Sequence, residues 1–150
     1  VYFGETHDDQ VTHALELAVL EELVARTAGR VVLALEMFER DQQPVLDDYV
    51  QGRIDEAAFY AATRTWGNYR AGYRPLIELC RERRLPVVAA NAPAGPRRKV
   101  TSGGLEALSP EERPLVAAEL LPNSDAYWAR FDAVMASHGG GEKPSAEQRE

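Results

Sequence analysis

The sequence predicts an α/β fold with a parallel-type sheet core and helices on both faces. Three observations point there. Short apolar runs at 1–3, 31–35 and 87–90 are separated by helix-length segments rather than hairpin turns, the rhythm of βαβ units. The second and third runs lack polar alternation, as expected of strands covered on both faces. Polar residues gather just after each run, where open parallel sheets bind ligands.

Val1-Tyr2-Phe3-Gly4 reads as a first, short buried strand. Asp8 or Asp9 then offers an N-cap oxygen to a helix reaching Thr27 or Ala28, which Gly29 stops. Its apolar residues, from Val11 through Leu15, Leu17, Leu20 and Leu23 to Val24, make a stripe wide enough to pack on a sheet. Residues 30–36 form the second strand, and the βαβ unit so made should be right-handed. Pro44 suits the first position of the next helix, which Gly52 ends. Asp55 caps a helix running to about Arg64, and residues 66–73 form an aromatic loop. Residues 74–84 are helical with Leu76, Ile77, Leu79 and Cys80 inward, and 86–91 form the third strand. Beyond Pro96 the chain turns helical. Ser109-Pro110-Glu111-Glu112 carries a capping-box signal, with Pro114 implying a kink or a later start. Asn123 or Ser124 opens a last helix through Met135.

The expected organisation is a single α/β domain over 1–138 and a disordered polar tail over 139–150, where apolar periodicity is missing. Three strands are few for a sheet covered on both sides. The expectation is therefore part of a larger domain, or one that borrows strands from a partner. The run Val1-Tyr2-Phe3, with no Met or leader before it, has the look of an excised piece.

Composition narrows the function. The formal net charge of −7 argues against a general basic surface for nucleic acid. The single cysteine, Cys80, excludes an internal disulfide, a CxxC redox motif and a zinc ribbon. It reads as a buried small apolar residue. No apolar run reaches the roughly 18–20 residues of a membrane-spanning helix.

The polar residues converge on one sheet edge. The first strand leads into Gly4-Glu5-Thr6-His7-Asp8, the second into Glu36 and then Glu39-Arg40-Asp41, the third into Asn91-Ala92-Pro93. Glu36 directly follows five aliphatic residues, so it is expected at the mouth of the core, where an unpaired charge would be costly. His13 is in register with Leu17, Leu20 and Val24 and should face inward. Glu5, His7, Asp8, His13 and Glu36 make an oxygen and nitrogen set suited to a divalent metal, or a histidine base with a carboxylate orienter. Competing structural readings exist: Asp8 and Asp9 as caps, His13 as a hydrogen-bonded core residue, and GxxH as an ordinary turn. The second constellation sets Trp66, Tyr69 and Tyr73 beside Arg64, Arg70 and Arg74. Tyrosine can ligate ferric haem and arginine can pair with its propionates, although packed rings and solvated arginines would look the same. Arg97-Arg98-Lys99 reads as a solvated loop, and no GxSxG motif is present.

These residues also carry a resemblance. GETHDDxxTH, LALEMFERDxQPVLDDYVxGxID, WxNYxxxYRPLIELCRE and PVVAANAP occur in order and cover most of residues 1–108. Together they resemble the ChaN-like haem-binding family, iron-regulated lipoproteins of a superfamily with the Tiki metalloproteases, TraB-type proteins and erythromycin-esterase-like enzymes. What that superfamily shares is matched here by Gly4, Glu5, His7 and Glu36. The resemblance implies haem held at the carboxyl edge by His7 or His13, or by Tyr69 or Tyr73, with Arg74 nearby. It implies a homodimer sharing the ligand, a bacterial outer-membrane haem receptor as partner, and a periplasmic or outer-membrane-associated location. The alternative it implies is a metal-dependent hydrolase. There Glu5, His7 and Glu36 are catalytic, and Glu5, His7, His13 and Glu36 hold a Mn²⁺- or Zn²⁺-like ion. Family members usually continue into another α/β portion with a second histidine motif. This sequence ends instead in a glycine-rich polar stretch, so the expectation is an incomplete family domain.

Overall fold

The structure is a computed structural model, and it describes residues 1–119 and 123–137. The tail expected at 139–150 lies outside the described residues. The chain divides into two compact units, Val1–Pro93 and Ala94–Glu150.

The first unit runs α1 (Gln10–Arg26), β1 (Leu33–Glu39), a 3₁₀ turn (Arg40–Gln42), α2 (Gln43–Val50), α3 (Glu56–Ala62), α4 (Arg74–Arg83) and β2 (Val87–Asn91). Local chemistry sets most boundaries. Asp9 caps α1 by accepting from the Val11 amide, and Asp55 caps α3 by accepting from the Ala58 amide. Helix α1 ends through the left-handed pair Ala28 and Gly29, whose amide bonds back to the Val24 carbonyl. Pro44 sits in the first turn of α2 and Pro75 in that of α4. Among the described residues, no helix is long and apolar enough to cross a membrane.

The fold is α/β with a parallel sheet, of two strands rather than three among the described residues. Val1-Tyr2-Phe3 is not a strand: Val1 is 87% and Tyr2 103% exposed. An extended segment becomes a strand only when a neighbour completes its ladder, and β1 bonds to β2 instead. Register runs Leu33 to Val87, Ala34 to Val88 and Leu35 to Ala89, and then slips, so that Glu39 meets Asn91. The slip is a bulge in β1. It places consecutive residues Met37 and Phe38 both inward, which a regular strand cannot do.

Glu36 lies in the middle of β1, not after it, and is exposed. Ala34 and Ala90 are exposed as well, so this side of the sheet lacks the complete cover expected from the apolar runs. The far edge of β2 is closed by a side chain: Gln43 donates to the Val87 carbonyl and accepts from the Ala89 amide, as another strand would.

The core lies on the other face. Phe38, Leu46, Phe59, Tyr73, Ile77 and Cys80 are fully buried, with Tyr49 and Tyr69 nearly so. Tyr49 and Phe59 stack at 4.5 Å between centroids, and Tyr69 meets Phe38 edge-on. Helix α1 packs against α4, with Leu20 buried and Leu17 and Val24 against the core. Its broad stripe is not buried throughout, since Val11 and Leu15 stay exposed.

The second unit holds α5 (Ala94–Gly103), 3₁₀ turns at Leu105–Ala107 and Arg113–Leu115, and α6 (Asp125–Ser137). Arg97, Arg98 and Lys99 belong to α5 rather than to a loop, Pro96 being tolerated in its first turn. Lys99 pairs with Glu112 at 2.7 Å. Ser109 and Glu112 make the reciprocal capping contacts, and only a 3₁₀ turn containing Pro114 follows them. Ser124 accepts from the Tyr127 amide and opens α6.

Candidate functional site

The turn before α1 is pinned at both ends. The Asp9 amide donates to the Thr6 carbonyl, and the Asn68 side chain donates to the His7 carbonyl. Asp9 is committed to capping, its second oxygen accepting from Thr12 at 2.5 Å. The turn therefore delivers Glu5 inward and His7 outward.

Glu5 is the hub, its side chain only 5% exposed. Its Oε1 accepts from the Tyr73 hydroxyl at 2.5 Å and lies 3.1 Å from His7 Nδ1. Its Oε2 lies 2.8 Å from His13 Nε2, but off the line of a hydrogen bond, so neither atom is satisfied. We read this contact as a close electrostatic approach. Burial alone would push the Glu5 carboxyl up. The hydrogen bonds from Tyr73 and His7, with His13 nearby, outweigh it and hold the carboxyl below its ordinary value.

His7 is the exposed member of the set, with about half of its side chain open to solvent. Its ring stands edge-on to Trp66, 4.8 Å between centroids. Glu5 engages Nδ1, which leaves Nε2 as the outward nitrogen. His13 is buried as its register predicted, edge-on to Tyr73 at 4.8 Å. It leans on Gly72, where an added Cβ would come within 2.6 Å of the imidazole.

A residue absent from the sequence-predicted set joins here. Ligand atoms of Glu5, His13 and Glu16 all lie within 4.8 Å of one another. Burial and the negative charge of Glu5 push the Glu16 carboxyl up, and His13 partly offsets this. The available signal was His13-x-x-Glu16, an i, i+3 pair that shares one helix face. Glu36 and His7 are not in this trio.

The remaining predicted residues have other surroundings. Tyr69 is in the core, its hydroxyl buried without a hydrogen-bond partner. The Tyr73 hydroxyl is engaged by Glu5. Burial pushes both phenols up, which makes the tyrosinate form that ferric iron favours harder to reach. Arg74 forms a two-pronged pair with Glu56, at 2.6 and 3.1 Å. Arg64 is held by Glu39 at 2.8 Å and by Asp41 at 2.6 Å. Cys80 is buried, its thiol pushed up to about 11. Hollows of about 510 Å³ between α1 and α4 and about 720 Å³ beside α2 and β2 contain none of Glu5, His7 or His13 in their walls.

The profile of a family described as haem-binding uptake, Tiki superfamily, ChaN matches residues 1–150. Protein RETICULATA-RELATED 5, chloroplastic, from Arabidopsis thaliana is 33% identical over 124 residues, covering 77% of this chain. The chain spans about 16% of that relative's length. No solved structure matches significantly.

Proposed function

The chain belongs to the ChaN haem-binding uptake family of the Tiki superfamily, and we propose that it binds haem at the α1 edge with His7 as the ligand to iron. One observation carries this reading. His7 presents Nε2 outward from a half-exposed ring, while Glu5 holds Nδ1 at 3.1 Å. A carboxylate on the far nitrogen fixes the tautomer and ring orientation and makes the ligating nitrogen more basic. Trp66, edge-on to His7, offers apolar surface beside the iron position. Bound haem would supply the iron's ligand-exchange and redox chemistry; His7 would hold it, oriented by Glu5, with Trp66 giving apolar surface beside it.

The same proposal includes uptake, with a second copy covering the outer haem face, an outer-membrane receptor as partner and a periplasmic or outer-membrane location. These rest on the family. Titration with hemin tests the core of it. Saturable binding with a Soret shift is expected, and His7→Ala should remove the histidine-ligated spectrum. An unchanged spectrum in that variant would rule out His7. Light scattering with and without hemin reads the assembly: an unchanged monomer at saturating hemin would rule out sharing between copies.

A further inference from the structure

We propose that Glu5, His13 and Glu16 form a divalent metal site distinct from the haem position. The geometry comes first. Three potential ligand atoms from the turn and the first turns of α1 lie within 4.8 Å of one another. His13 is 5% exposed, yet neither ring nitrogen has a hydrogen-bond partner. Glu5 Oε2 is equally buried and equally without one. Buried polar atoms are ordinarily satisfied, and one left bare is destabilising. Glu5 Oε2 and His13 Nε2, 2.8 Å apart and both bare, are the pattern of a site whose occupant completes it.

The donor chemistry selects the occupant. One imidazole nitrogen and two carboxylates suit borderline divalent ions such as Zn²⁺, Mn²⁺ or Co²⁺. Three protein ligands leave coordination positions open, as in exchangeable rather than closed structural sites. The supporting shell is present. Tyr73 and His7 both engage the other oxygen of Glu5, fixing the rotation of its carboxylate. Gly72 gives the His13 ring room that any side chain would occupy.

The site shares Glu5 with the haem reading through its other oxygen, but its remaining ligands are His13 and Glu16 rather than His7. A bridging proton is the rival occupant: protonated His13 between two carboxylates would also hold the cluster together. Titration of the chelator-stripped protein with Zn²⁺ by calorimetry, and with Co²⁺ by visible absorption, separates them. The expected result is one ion per chain with a histidine-containing Co²⁺ spectrum. Glu16→Gln keeps shape and helix, and should weaken the ion at least about tenfold. Glu16→Asp should recover part of that loss. Glu16→Gln should leave the hemin spectrum unchanged while weakening the ion, and His7→Ala should alter the hemin spectrum, so the two proposals fail separately. Absence of saturable binding in the native protein, or equal affinity in Glu16→Gln, would overturn the site in favour of the proton.

Discussion

Two charged clusters in the first unit make a contrast. At the end of β1, Arg64 is gripped by Glu39 and Asp41, with short contacts to three carboxylate oxygens. That cluster is solvent-facing, the Arg64 side chain 58% exposed. At the start of α1, Glu5 and His13 are each about 5% exposed and three of their polar atoms lack partners. The first is complete and cheap to solvate; the second is incomplete where incompleteness is expensive. Carboxylates at a strand end therefore do not by themselves mark a site. Bare polar atoms gathered at one buried point are the stronger signal, and the lone Tyr69 hydroxyl shows that a single such atom is not enough.

The contrast breaks hardest at Tyr73. Its hydroxyl donates to the Glu5 carboxylate at 2.5 Å from a fully buried ring. Tyr73→Phe keeps the packing and removes that donor, and a hydrogen bond to a charged group is worth about 1.5–3 kcal/mol. The pH dependence has a definite sign. The Glu5 carboxyl is held below its ordinary 4.5 in the folded chain, so its contribution is present above that value and lost as pH falls through the lowered one. The gap between wild type and Tyr73→Phe should be full at neutral pH and narrow in acid. Denaturant midpoints from pH 7 down to pH 3 measure it, and a gap that widens in acid would contradict the assignment.

Gly72→Ala tests the same corner sterically. The new methyl would lie 2.6 Å from one His13 ring atom and 2.7 Å from another. Neither ring nor backbone can yield freely in a packed setting, and overpacking costs about 1–3 kcal/mol. The variant should melt lower and lose Co²⁺ binding together, whereas a purely structural His13 would lose stability alone.

Much of this was legible from the sequence where short-range chemistry decides. Asp55, Pro44 and Gly52 marked boundaries that the structure keeps, because caps and breakers act within a few residues. The inward register of His13 followed from helical periodicity. Long-range facts were harder. The aliphatic run 31–35 predicted a strand ending at Glu36, but the bulge carries β1 on to Glu39 and leaves Glu36 exposed. A bulge depends on the partner strand, which local pattern does not contain. Val1-Tyr2-Phe3 has strand-like residues without a ladder neighbour. Tyr69 and Tyr73 were conspicuous as aromatic residues, while burial, which composition cannot report, determines their present role. Glu16 was missed because a lone glutamate on a helix ordinarily faces water; only its spacing from His13 set it apart.

The smallest expected effect is at the complete cluster. Arg64→Ala removes contacts to Glu39 and Asp41 that look stronger on paper than anything at Glu5. Exposure decides otherwise. Water screens the pair, and holding a long side chain in place costs rotamer entropy, so exposed ion pairs contribute roughly 0.2–1 kcal/mol. The remaining carboxylates are partly exposed and water can take the place of the guanidinium. Denaturant unfolding should therefore show a loss below about 1 kcal/mol, shrinking further as salt shortens the screening length. Hemin and Co²⁺ titrations should be unchanged. A loss of several kcal/mol that persists in high salt would mean that the β1-end cluster holds the fold, and that counting satisfied partners is the wrong way to tell scaffold from site.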